Sequence, residues 1–265
     1  MEQICDHPGA FDYPAQQILG IRFFDGPVDQ AVEIILRRGG MVAVPAAPAL
    51  VKLRQETENY RQALTEADLA IADSGFMVLL WRFMRGKNIT RISGLKYLRY
   101  LTARLLAEKE SKVFWILPNE KARAKAEHWL RANRFPSGGI DLYIAPLYGS
   151  LVEDRQLLEK VERQRPAHII IGIGNGPQEK LGRYLRDRLT YRPAIHCIGA
   201  ALAFLTGDQV AIPVWADRFY LGWFLRLLTQ PRILVPRLAR ALELPWLIWK
   251  YGENLPPLAI DHRQQ

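Results

Sequence analysis

The sequence predicts an α/β fold: a layered, largely parallel sheet with helices on both faces, followed by a basic, aromatic helical appendage at the C-terminus. Short runs rich in Val and Ile alternate with longer stretches of helical periodicity. Those runs are short and rich in Val and Ile, as buried parallel strands are. The composition then changes once, near Trp215, to aromatic and basic segments punctuated by Pro231, Pro236 and Pro245.

Six strands are expected, at 41–44, 69–72, 113–117, 140–144, 169–173 and 195–198. Helical patterns lie between them. In 49–64, Leu50, Leu53, Thr57, Tyr60 and Leu64 share one stripe. The 95–108 segment carries Leu98, Leu101, Leu105 and Leu106. The 120–133 segment follows Asn119, a natural N-cap, and turns Ala122, Ala126, Trp129 and Leu130 inward. Segments 151–163 and 178–189 read the same way. The chain therefore divides into an N-terminal extension (1–17), an α/β core (18–214), the appendage (215–252) and a tail (253–265). The core is Rossmann-like in its layering, so ligands are expected beyond the carboxyl ends of its strands.

The 265 residues carry a net charge of +9, which favours anionic partners: nucleic acid, anionic lipid or phosphorylated small molecules. No recognised nucleic-acid module accompanies the charge, so a nucleic-acid partner is not expected. Cys5 and Cys197 form neither a disulfide framework nor a metal pattern, and the five histidines are scattered. Neither a metal nor another cofactor is therefore expected. The N-terminus lacks a signal-peptide pattern, and no apolar run has the ~18 residues a membrane span requires. A cytoplasmic location follows as an expectation, with any membrane contact peripheral.

Four segments can carry chemistry. Asp73 ends a strand and precedes Ser74-Gly75; there it is either a general base at a cleft rim or the cap of the next helix. Arg91 in Arg91-Ile92-Ser93-Gly94 either clamps a diphosphate or is a solvated loop charge. Gly172, Gly174 and Gly176 link a strand to a helix begun by Pro177, Gln178 and Glu179. Such glycines either let backbone approach a phosphate or nucleotide edge, or serve only a tight turn. In the appendage, Phe219, Tyr220, Leu221, Trp223, Phe224, Leu225, Leu227 and Leu228 cover most of a helix circumference. That helix is buried, in an interface (a homo-oligomer included), or on lipid, and arginines beside it suit an anionic membrane surface.

These segments, in this order, resemble the WecG/TagA/CpsF glycosyltransferases. Ala67-Asp68-Leu69 with Ala72-Asp73-Ser74 is similar to the family's ADLVLPDG. Arg91-Ile92-Ser93-Gly94 is similar to RITGSD, Gly172 to Glu179 to GLGAPKQE, and Ile198 to Gly207 to VGGAFDFLAG. Trp223 to Arg232 resembles EWLYRLLQEPRR. The resemblance implies an inverting enzyme that moves an N-acetylmannosamine-type sugar from a UDP donor to a polyprenyl-diphosphate-linked acceptor, at the inner face of the cell membrane. It makes Asp73 the base. Ser74, Arg91, Gly174, Gln178, Glu179, Arg226, Arg232 and Arg237 become substrate-binding residues, the arginines neutralising the leaving UDP. The departures are Val44-Pro45-Ala46 for TPN, Ala203 for the Asp of AFDF, Ala211-Ile212-Pro213 for RAP, without its Arg, Gly222 for a Glu, and Ser74 for the Gly after the base Asp. They leave open a family member that has lost catalysis and binds a nucleotide sugar or a partner glycosyltransferase.

Overall fold

The computed structural model describes residues 12–108, 112–135, 140–199, 201–207, 239 and 241–259. Its centre is one eight-stranded sheet in the order β1-β2-β4-β3-β8-β7-β5-β6. The strands are β1 (Ala15–Ile18), β2 (Ile21–Phe24), β3 (Gly40–Ala43), β4 (Leu69–Ile71), β5 (Val113–Leu117), β6 (Ile140–Ile144), β7 (His168–Ile171) and β8 (Ala194–Cys197). From β2 to β6 across the sheet every pairing is parallel; only β1, on the edge, runs antiparallel. The central strands are buried on both faces, which is why they read as unbroken apolar runs.

Ten helices are described: α1 (Val28–Arg38), α2 (Ala47–Val51), α3 (Glu58–Thr65), α4 (Gly75–Arg85), α5 (Gly94–Ala107), α6 (Glu120–Ala132), α7 (Arg155–Gln164), α8 (Pro177–Arg188), α9 (Ala201–Leu205) and α10 (Leu244–Tyr251). One face of the sheet is covered by α1, α5 and α6, where Val32, Leu98, Leu101 and Leu130 pack on Phe24, Val42, Trp115 and Ile170. The other face is divided. Leu50, Leu64, Trp81 and Leu247 from α2, α3, α4 and α10 cover Phe23, Ala43 and Ala70, while α7 and α8 cover Phe114, Ile169 and Ile195.

The structure departs from the sequence expectation in several places, among them α1, where no helix was expected. The helix expected over 49–64 is two helices, α2 and α3, joined by a 3-10 turn at Lys52–Arg54 and an extended Thr57. Leu50, Leu53, Tyr60 and Leu64 are buried all the same, so the apolar stripe persists across a break that periodicity cannot register. The β1–β2 hairpin was not expected. Its two-residue turn, Leu19 and Gly20, has positive φ at both positions (53° and 80°) and donates both N–H groups to the carbonyls of Gly252 and Glu253. A Cβ on Gly20 would meet Leu255 at 2.6 Å. Helix α10, inside the segment assigned to the appendage, buries Leu244, Leu247 and Ile248 in the core and exposes Trp246 and Trp249. The aromatic segment around Trp223 lies outside the described residues.

Candidate functional site

The carboxyl ends of β4, β3, β8 and β7 face the same edge of the sheet, and the segments leaving them build the site. Asp73 follows β4 and is partly buried. Its Oδ1 accepts from the N–H of Gly94, the first residue of α5, at 2.9 Å. The carboxylate thus sits at the positive end of a fourteen-residue helix. It does not cap the helix that follows it. That task falls to Ser74, whose Oγ accepts from Met77 N at 3.2 Å. Arg91 reaches back to donate its Nε to the Asp73 carbonyl at 3.0 Å, and Ile92 N donates to Ala72 O at 3.1 Å. The Arg91–Gly94 segment therefore runs beside the end of β4.

Gly94 is the hinge between this acid and the rest of the edge. A Cβ there would stand 3.3 Å from Val44 Cγ1 and 3.6 Å from the Ile198 carbonyl. Beyond β8, Gly199 turns with φ 59°, and its N–H donates to Gln178 Oε1 at 2.8 Å. Gln178 is fully buried and also donates its amide to Asn175 Oδ1 (3.3 Å) and Glu179 Oε1 (2.9 Å). Glu179 is equally buried, and its Oε2 accepts from Gly176 N at 2.5 Å. Burial pushes the Glu179 carboxyl up from its ordinary value, against the opposing pull of those donors and of Lys52. Gln178 and Glu179 thus lie beneath the glycine turn and fix its backbone. Gly174 and Gly176 form the turn itself, with φ of 99° and 103°, and a Cβ on Gly174 would touch nothing within 4 Å.

The structure therefore brings Asp73, Ser74, Arg91, Gly174, Gln178 and Glu179 to one edge. Arg226, Arg232 and Arg237 lie outside the described residues. Sequence reasoning missed Gly94 and Gly199, whose roles depend on backbone N–H direction, and Lys52 and Lys180. Lys180 is carried there by the first turn of α8, and Lys52 by the 3-10 turn that breaks the 49–64 segment. A cavity of 280 Å³ lined by Arg186, Thr190, Tyr191 and Arg192 opens at the amino edge of β8, opposite Asp73. Parallel sheets gather ligands at the carboxyl edge, which makes the edge bearing Asp73 the candidate site. Among the described residues no group of His, Cys, Asp and Glu is arranged to hold a metal, and no helix is long and apolar enough to cross a membrane. The family model described as glycosyl transferase WecG/TagA/CpsF family matches residues 16–256.

Proposed function

The chain belongs to the WecG/TagA/CpsF glycosyltransferase family, whose members serve cell-surface polysaccharide synthesis, and from that premise we propose that it is an inverting, UDP-sugar-dependent enzyme acting on a polyprenyl-diphosphate-linked acceptor. The observation that carries this reading is the Asp73 carboxylate, held by Gly94 N–H at the strand edge that also bears the glycine turn. Asp73 takes the proton of the acceptor hydroxyl as its oxygen attacks the anomeric carbon. The C–O bond to the diphosphate breaks on the opposite face, and UDP leaves. Arg91 and, from the appendage, Arg226, Arg232 and Arg237 stabilise the charge that develops on it. Gln178 and Glu179 act through the turn they hold, and the backbone of Gly174 receives the nucleotide. N-acetylmannosamine-type donors head the substrate classes to be tried.

Peripheral association with an anionic membrane surface belongs to the same reading. It is supported by an exposed ridge on α4, Phe76, Leu79 and Phe83, which starts beside the proposed base and ends near Trp249 of α10. Arg85 binds the carbonyls of Ile248 and Trp249 at 2.8 and 3.0 Å and joins the two helices. Exposed Arg82, Lys87 and Lys250 border the ridge. Aromatics flanked by cations suit the headgroup zone.

The test is Asp73→Asn, assayed with a panel of UDP-sugars and a soluble lipid-diphosphate acceptor analogue. Transfer should fall by about 10²–10⁴-fold, the usual worth of a positioned acid–base group, with the circular-dichroism spectrum and UDP affinity unchanged. Turnover at the parental rate would remove Asp73 from this role. A second reading is favoured by Val44 and Ala46, which present apolar groups at the carboxyl end of β3 where family members carry Thr and Asn. On that reading the chain binds a nucleotide sugar or a partner glycosyltransferase and transfers nothing. UDP binding without transfer from any donor in the panel would select it.

A further inference from the structure

Two lysines flank the glycine turn, and their surroundings differ. Lys180, in the first turn of α8, is buried. Its ammonium donates to the carbonyls of Gly149 (3.4 Å) and Ser150 (3.2 Å) and lies 3.8 Å from Glu56 Oε2. It is a tie between α8 and the connection after β6. Lys52, in the 3-10 turn after α2, keeps 27% of its side chain exposed and pairs with Glu56 Oε1 at 3.3 Å. One carboxylate therefore serves two ammonium groups. The neighbouring acid, Glu179, has its oxygens engaged by Gly176 N–H and the Gln178 amide.

Lys52 also stands against bare backbone. Its Nζ is 3.5 Å from where a Cβ on Gly176 would be, while the Gly174 side of the turn is open. The site can be followed across the sheet edge from Asp73 to Gly94, to Gly199, to the turn and to Lys52. β4 and β7 are three strand spacings apart, roughly 14 Å at about 4.8 Å each. That span exceeds one sugar ring and suits a donor whose sugar lies by Asp73 and whose phosphates extend toward β7.

We propose that Lys52 is a phosphate-binding residue of the donor site, whose ammonium turns from Glu56 to the diphosphate as that anion settles on the Gly174–Gly176 turn. The inference rests on the reading of the cleft as a nucleotide-sugar site. An ammonium on a flexible stem is suited to the move, because it contacts a phosphate as a point charge from any of its three donors. Glu56 then acts as the resting partner that keeps Lys52 at the turn when no donor is bound.

The experiment is calorimetric titration of the full chain with UDP, uridine and inorganic pyrophosphate, on the parent, Lys52→Met and Glu56→Gln, each checked for folding by thermal melt. Lys52→Met should lose about tenfold or more in affinity for UDP and pyrophosphate, as for a charge-assisted hydrogen bond, and nothing for uridine. Glu56→Gln should bind UDP a few-fold tighter than the parent, because the ammonium no longer has to leave a carboxylate; a merely structural ion pair would leave the affinity unchanged or lower. Lys52→Met binding both phosphates within twofold of the parent would remove Lys52 and leave the UDP reading standing. Pyrophosphate bound through Lys52 without affinity for UDP would keep the anion site and remove that reading. A parent chain that binds neither phosphate ends both. Should Lys52→Met fail to fold, Glu56→Gln decides: tighter UDP binding supports the proposal, and unchanged or weaker binding overturns it.

Discussion

Gln178 shows how one buried side chain can tie two strand exits together. It is wholly buried, accepts from Gly199 N–H and donates to Asn175 and Glu179, so it couples the exits of β7 and β8. Leucine at this position would leave the Gly199 N–H and the Glu179 carboxylate without these partners in the interior. Each buried orphan costs about 1–3 kcal/mol. Gln178→Leu should therefore lower the unfolding free energy by that order, read as a lower urea midpoint, and weaken UDP binding because the turn loses its support. A variant with parental stability would show that the network is dispensable. This residue was legible in the sequence as part of a resembling motif, but its buried position was not. Asp73 was legible as strand-terminal, but its hydrogen bond from Gly94, twenty-one residues away, was not.

At the scale of elements, the capping residues do what their types dictate. Ser74, Ser93, Asn119 and Asp154 accept from the N–H of Met77, Lys96, Ala122 and Leu157, opening α4, α5, α6 and α7. Ser74→Ala should cost about 1 kcal/mol and Ser74→Gly only a few tenths, read by chemical denaturation. Equal losses for both would mean that Ser74 does more than cap α4. The strand at 113–117 was legible to the residue, because a parallel strand buried on both faces leaves an uninterrupted apolar run; the strand at 140–144, half-buried on the sheet edge, keeps Asp141 among its apolar residues. The β1–β2 hairpin was not. Its strands are four residues each, and its turn is secured by carbonyls at the far end of the chain. The break between α2 and α3 was hidden for the opposite reason, since both pieces satisfy one stripe.

For the whole molecule, two histidines link stability to pH. His168 and His196 lie side by side in the core, ring centroids 5.9 Å apart, with His196 Nδ1 bonded to Tyr97 Oη at 2.9 Å. Burial pushes His168 down to about 4, against the opposing charge of Glu108. Burial, and then the neighbouring His168, hold His196 well below its ordinary value. A depressed folded-state value means that the unfolded chain binds more protons as the pH falls below ~6.5. Stability is therefore full above that pH and declines from about 6.5 to about 4, by about 3 kcal/mol at pH 4 for His168 alone. Melting temperatures across this range should fall for the parent and fall less for His168→Gln. Parallel curves would assign the acid sensitivity to other groups.

By itself the sequence determined the layered α/β class, the central strands, most helices and the acid at the end of β4, because periodicity and strand-terminal position are local properties of the chain. The tertiary structure alone decided that Gly94 holds Asp73, that Gln178 and Glu179 lie under the glycine turn, and that Lys52 stands against it. Those relations join residues that are neighbours only once the parallel strands align their carboxyl ends, and no local pattern encodes a contact between separate crossovers.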